Sequence, residues 1–255
     1  MCSWLNWIEY WTPDPKVAGS NPAEHTIYYQ EDGGIVMVLI MSVFESELEP
    51  ITETMVTFET KTLFDRETKR GLLGRNEIVT CAGIFGKVES AFITQKLIDD
   101  YTINNVFLVS GAGALTDELQ IGDVVIGEAY HEYDKRLKEN EPNPAIRGDL
   151  ETLSSIKNQF PGVKRGKIIS GDQIVSEKLF RDELYNRYRA LALDMDSAVM
   201  AKVAHVNGCK FLALKIILDK SDERTSDDFN KNFSEYNTVP ATILCEFLKN
   251  QFVAG

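Results

Sequence analysis

Along most of this chain, short unbroken apolar runs alternate with longer stretches whose apolar side chains recur every three or four positions. The first pattern is that of a strand buried on both faces, and the second that of a helix with one face in a core. Residues 35–41, 106–109, 124–126, 166–170, 190–193 and 211–218 read as strands. Residues 87–101, 149–160, 176–188 and 197–204 read as helices, and Pro240 opens a last one through residue 252. Residues 45–49 begin a helix that Pro50 interrupts or restarts. Residues 54–82 hold shorter strand-like pieces, with turns expected near Arg70-Gly71 and Gly74-Arg75-Asn76. Strands and helices in alternation, with no repeat or linker across residues 33–255, predict one α/β domain there.

Two segments stand outside this pattern. Residues 1–32 carry all three tryptophans, Trp4, Trp7 and Trp11, followed by a Pro, Gly and Asn stretch. They read as an N-terminal extension, either a docking segment with aromatic anchors or a tail outside the fold. Residues 135–149 are charged and hold Pro142, Pro144 and Gly148, the composition of a mobile surface loop or lid.

Composition narrows the functional classes. A net charge of −12 over 255 residues leaves no basic face for nucleic acid. No apolar run approaches the roughly 20 residues that span a bilayer. The N-terminus lacks a basic segment leading into an apolar core, so a cytoplasmic protein is expected. Cys2, Cys81, Cys209 and Cys245 are scattered without a CxxC pair, and His25, His131 and His205 form no ligand pattern, so no metal site is expected.

Candidate chemistry sits where strands stop. Ala190-Leu191-Ala192-Leu193 runs into Asp194-Met195-Asp196, and the strand over 211–218 closes on Asp219. Strand ends are where an α/β sheet presents groups to a ligand, although capping or loop acids give the same spacing. Gly83-Ile84-Phe85-Gly86-Lys87 and Ser110-Gly111-Ala112-Gly113-Ala114-Leu115 each follow a strand. The first is not a phosphate-binding GxxxxGK[ST] loop, and the second lacks the GxGxxG spacing of a dinucleotide site.

The order of these segments resembles the nucleoside phosphorylase and nucleosidase superfamily, most nearly its methylthioadenosine/S-adenosylhomocysteine nucleosidases. The likeness spans residues 34–250 and rests on Glu45-Ser46-Glu47-Leu48, the two glycine loops and Ile121-Gly122-Asp123-Val124-Val125. Ser170-Gly171-Asp172-Gln173-Ile174-Val175, Leu193-Asp194-Met195-Asp196 and Ile217-Leu218-Asp219-Lys220-Ser221-Asp222 complete it. The resemblance implies a three-layer α/β/α sandwich with a central mixed twisted sheet, a purine nucleoside as ligand, no cofactor and a homo-oligomer. By the same resemblance Asp219 matches the acid that protonates the leaving base, and Glu47 the carboxylate that activates water. Ile174 and Val175 match the base-lining segment, Met195 the residue beside the ribose and Asp196 the acid on its hydroxyls. Gly111, Ala112 and Gly113 match the backbone near the sugar and water, with Asp194 and Lys215 in the flanking substrate-binding set. A carboxyl acid needs a water-poor pocket to hold its proton near neutrality.

Several positions depart from the family pattern. Asp196 replaces the usual Glu, Lys215 the usual Arg, and Gly111 the usual Ser; the commonly aromatic 5′-side position falls near Lys138. Lys135, Arg136 and Lys138 read first as a solvated charged loop, and otherwise as basic groups that meet a polar or phosphorylated 5′ substituent. Leu108 stands where the phosphorylases place an arginine, and no matching Arg follows the first strand, which favours water over phosphate as nucleophile. Three functions stay open at this point: a purine nucleosidase, a phosphorylase using phosphate as co-substrate, and a non-catalytic nucleoside-binding protein of the same fold.

Overall fold

The computed structural model describes residues 37–135 and 144–250. The tryptophan-bearing residues 1–32, Arg136 and Lys138 lie outside the described residues.

Ten strands form one mixed sheet. They are β1 (Met37–Met41), β2 (Val56–Leu63), β3 (Arg66–Leu73), β4 (Asn76–Cys81), β5 (Asn105–Ala114), β6 (Val124–Glu132), β7 (Ile146–Arg147), β8 (Lys164–Ser170), β9 (Ala192–Asp194) and β10 (Lys210–Asp219). The helices are α1 (Glu49–Thr52), α2 (Gly86–Asp100), α3 (Leu150–Gln159), α4 (Lys178–Tyr188), α5 (Ser197–Val206), α6 (Thr225–Tyr236) and α7 (Val239–Asn250). The order β10-β6-β8-β9-β5-β1-β4-β3-β2, with a further β10–β5 pairing, curls one half of the sheet until it closes on itself. The strands that carry the central edge, β1, β5 and β10, run parallel to one another.

Helices cover both faces, which is why the central strands read as unbroken apolar runs. Side-chain alternation sorts them. Val38 and Ile40 of β1, with Leu212, Leu214, Ile216 and Leu218 of β10, pack beneath α3 and α7. Leu39, Met41, Ala213 and Ile217 face the opposite core, against Ile93 and Leu97 of α2 and Ala201 and Ala204 of α5. Burying each such aliphatic side chain contributes roughly 1.5–3 kcal/mol. Leu108 belongs to this second core and is fully buried, so the position that would carry a phosphorylase arginine serves packing instead.

The structure corrects four local expectations. The segment from Ser110 to Ala114, expected as a glycine loop after a strand, is the C-terminal half of β5 and pairs with β10 and β9. The β2–β3 turn is at Phe64-Asp65, both with positive φ, and not at Arg70-Gly71. Gly71 lies inside β3, where a Cβ would stand 2.5 Å from the Val56 carbonyl oxygen, beside a register shift at Thr57/Glu59. That glycine marks close strand approach at a bulge. Within the expected 135–149 loop, Ile146–Arg147 pairs with β6 as a short strand. The helix α6 was not expected at all. Its sequence is mostly polar, but Phe229, Phe233 and Tyr236 recur along one face and pack on the α3/α7 core. The other elements lie where the hydrophobic pattern predicts them, with Pro50 in the first turn of α1 after a 3-10 turn over Glu45–Leu48.

Candidate active site

The C-terminal ends of β1, β5, β9 and β10 surround a cavity of ≈ 340 Å³, roofed on one side by α6. Small-ligand sites in open α/β sheets form at this edge because the strands stop there and loops diverge. Of the sequence-predicted residues, Glu47, Gly111, Ala112, Gly113, Ile174, Val175, Asp194, Met195, Asp196 and Asp219 all line it. Lys215 does not; its ammonium is fully buried behind the wall.

Glu47 comes from the turn after β1 and is only 1% exposed. Its Oε2 accepts the backbone N–H groups of Val43 at 3.0 Å and Phe44 at 2.8 Å, while Oε1 accepts that of Gly111 at 3.0 Å. Three convergent amides form a cradle for an anion, and the chain's own carboxylate fills it. Burial pushes the Glu47 carboxyl up to about 7, against the lowering effect of those amides and of the Lys215 charge.

Asp219 ends β10 beyond a register shift after Ile217, a bulge that re-aims the terminal side chain. Its Oδ1 accepts the Ser221 N–H at 2.8 Å and the Thr225 hydroxyl at 3.3 Å. Desolvation raises its carboxyl to about 6, opposed by those two bonds and assisted by Asp228 and Asp222. Gly113 has to be glycine here. A Cβ would sit 2.2 Å from Ser221 Oγ and 2.9 Å from Asp219 Oδ1. Gly111 is matched to its surroundings in another way, since a Cβ there would meet Leu218 Cδ1 at 2.5 Å. Leu218 thus occupies the space that any side chain at this position would need.

Asp196 is buried at the start of α2, where its Oδ1 accepts the Gly86 N–H at 2.8 Å and the Ser90 hydroxyl at 3.0 Å. Desolvation raises this carboxyl to about 6; Lys215 pulls it down and Asp194 pushes it up. Asp172 takes the next amide of the helix, Lys87 N–H, at 2.8 Å. Lys87 itself reaches Asp134 at 2.7 Å and Glu132 at 3.4 Å. The Gly86 and Lys87 amides of the first glycine loop are therefore taken by the protein's own carboxylates.

Asp194 reaches the cavity edge, but its carboxylate is otherwise engaged. It meets Lys215 Nζ at 2.7 Å, accepts the hydroxyls of Ser170 and Ser197, and takes the Ser197 N–H at 3.2 Å. Burial pushes this carboxyl up, yet the Lys215 charge and the hydroxyls outweigh it and hold it below the usual range. Lys215 also donates to Ser110, at the foot of the second glycine segment. Ile174 is exposed and Val175 buried in the loop after β8, where the Val175 carbonyl lies 3.3 Å from the same Thr225 hydroxyl that serves Asp219. Sequence reasoning did not find the wall made by Thr225, Ser226, Phe229 and Asn230 of α6, nor Phe44 and Phe85. The apolar spacing of α6 is the signal that could have marked Phe229.

A family model described as the phosphorylase superfamily matches residues 37–249. The chain is 40% identical over 215 residues to a 5′-methylthioadenosine/S-adenosylhomocysteine nucleosidase of Thermotoga maritima, covering 84% of this chain and 98% of that protein. The chain belongs to the nucleosidases of the phosphorylase superfamily. It is also 28% identical to an aminodeoxyfutalosine nucleosidase of Helicobacter pylori, over 83% of this chain and 96% of that one. Its fold matches the crystal structure of the Helicobacter pylori 5′-methylthioadenosine/S-adenosylhomocysteine nucleosidase in complex with a pyrrolidin-3-ol compound. The TM-score is 0.80 at 24% identity, covering 85% of this chain and 99% of that one. The sandwich with a mixed sheet is thus the superfamily's fold, and the chain is an N-glycosidic bond hydrolase.

Proposed function

We propose that this nucleosidase cleaves a 5′-substituted adenosine, of the methylthioadenosine or S-adenosylhomocysteine type, with water as the nucleophile. The purine lies against the Ile174–Val175 backbone with its imidazole nitrogen toward Asp219. Met195 packs on the ribose, and Asp196 receives its hydroxyls through the oxygen not anchored to Gly86 and Ser90. Departure of the base leaves electron density on the purine and positive charge on the sugar. Asp219 delivers its proton to the base as the C–N bond breaks, and the Glu47 carboxylate takes a proton from the water that attacks the anomeric carbon. The backbone of Gly111, Ala112 and Gly113 flanks that water. Asp194 and Lys215 act from behind, as an ion pair that fixes the sugar loop to the second glycine segment. Phe44 and Phe229, with ring centroids 6.3 Å apart, give the remaining wall an apolar surface for the 5′ substituent.

The observation that carries water over phosphate is the amide cradle already closed around Glu47. A phosphate would have to displace that carboxylate without an arginine to compensate its charge. Incubation with methylthioadenosine, S-adenosylhomocysteine, adenosine and inosine tests the reading. Adenine and a free reducing sugar are expected in phosphate-free buffer. Strict dependence on phosphate would make the chain a phosphorylase, and tight binding without base release would make it a binding protein.

The assembly is proposed to be a homo-oligomer. Phe85, Val88 and Phe92 are exposed along the start of α2 next to Phe64, and Phe85 also borders the cavity mouth. A second copy covering this face would complete the mouth; a monomer by light scattering at micromolar concentration would refute it. Among the described residues no helix is long and apolar enough to cross a membrane, and Cys81, Cys209 and Cys245 are free thiols. These features support the proposed cytoplasmic location. Residues 1–32 are proposed to be an appendage to the catalytic domain, since the family match begins at residue 37.

A further inference from the structure

Ser221 combines two costs at one position. It is 1% exposed, and its Oγ makes no hydrogen bond among the described residues. Its backbone is also left-handed, with φ 51°, a conformation that side chains other than glycine and asparagine rarely adopt. Orphaned buried hydroxyls and strained backbone persist where the surroundings impose them, and they cluster at functional sites. The surroundings here are Asp219 and Gly113. The left-handed turn brings the Ser221 N–H to Asp219 Oδ1, and the absent Cβ of Gly113 leaves room for the Ser221 hydroxyl beside that same oxygen.

We propose that Ser221 is a positioning residue for the acid: its hydroxyl is a reserve donor that turns to the Asp219 carboxylate as the proton leaves for the base. This rests on the assignment of Asp219 as the proton donor. While Asp219 is protonated, the Ser221 N–H and Thr225 hydroxyl already serve Oδ1, which leaves Oδ2 for the proton and the base. Once the proton has passed to the purine nitrogen, a full negative charge remains in a pocket that excludes water. A third donor then stabilises the charge that develops in the transition state more than the neutral ground state, which is what lowers a barrier. Rotation of Ser221 between staggered wells suffices to bring the hydroxyl across.

The test compares Ser221→Gly, Ser221→Ala and Asp219→Asn, with kcat and KM measured from pH 5 to pH 8. Glycine is at ease at positive φ, so Ser221→Gly removes the hydroxyl while relieving the backbone. Both Ser221 variants are expected to lose kcat by about five- to tenfold at pH 5, the scale of one hydrogen bond net of solvation, with KM little changed. Losing a donor to the carboxylate also raises the pKa of Asp219, so more of it stays protonated in base and the loss shrinks to none by pH 8. Parental kcat in Ser221→Gly at pH 5, or a loss equal at every pH, would overturn the role of Ser221. Parental turnover in Asp219→Asn would instead overturn the acid assignment beneath it.

Discussion

Asp194 and Asp219 are the last residues of two strands and look alike in the sequence, yet their surroundings give them opposite electrical states. Both are almost fully buried. Asp194 has Lys215 Nζ at 2.7 Å and two serine hydroxyls, and stays ionised. Asp219 has one amide, one hydroxyl and two further acids nearby, and its carboxyl is raised to about 6. Burial alone favours the neutral form of both; a cation in contact decides for Asp194. One strand end is thereby a structural anion, and the other a carboxyl able to hold a proton, as the proposed acid must.

The largest expected effect separates the two in turnover. Asp219→Asn keeps the shape, removes the proton, and should lower kcat by about two to four orders of magnitude with the melting temperature nearly unchanged. The reverse is expected for the ion pair. Lys215→Met leaves Asp194 uncompensated and should destabilise the fold by about 3–5 kcal/mol in denaturant titrations, and adding Asp194→Asn should recover part of that loss. If Lys215→Met were as stable as the parent, the structural role of the pair would be wrong.

Glu47 offers a smaller effect on stability that depends on pH. Its carboxyl is raised from 4.5 to about 7 on folding, so the stability it contributes is complete below pH 4.5 and is lost as the pH rises through 7. Between those limits the parent should lose about 3 kcal/mol relative to Glu47→Gln. Chemical denaturation of both proteins at pH 4 and pH 8 reads this difference. The proposed mechanism needs Glu47 ionised and Asp219 protonated, which predicts a bell-shaped kcat/KM with limbs near 6 and 7. A profile between pH 5 and pH 8 that lacks one limb would remove the corresponding group from the mechanism, and one flat throughout would remove both.

How much of this was legible beforehand follows from which residues are local in sequence. Each central strand announces itself by an apolar run because helices cover both of its faces. Motif order brings Glu47, Gly111 to Gly113, Ile174, Val175, Met195, Asp196 and Asp219 to one cavity, and all of them line it. Sequence spacing does not show that Lys215 and Asp194 cancel each other behind the wall, since that depends on side-chain facing along β10 and on the turn after β9. Nor does it show that Leu218 fills the gap over Gly111. The polar composition of α6 hides a helix whose Phe229 and Phe233 pack only once the sheet is in place. The Ser221 hydroxyl is visible as unusual only when its missing partner and its φ are seen together.

Carboxyl-carbon NMR of the protein labelled at aspartate, with the two resonances assigned from Asp219→Asn and Asp194→Asn, measures the contrast itself. Asp219 is expected to titrate with a midpoint near 6, while Asp194 stays ionised from pH 5 to pH 8. An Asp219 resonance already ionised at pH 5, or an Asp194 resonance that titrates in that window, would contradict the division of labour between the two strand ends.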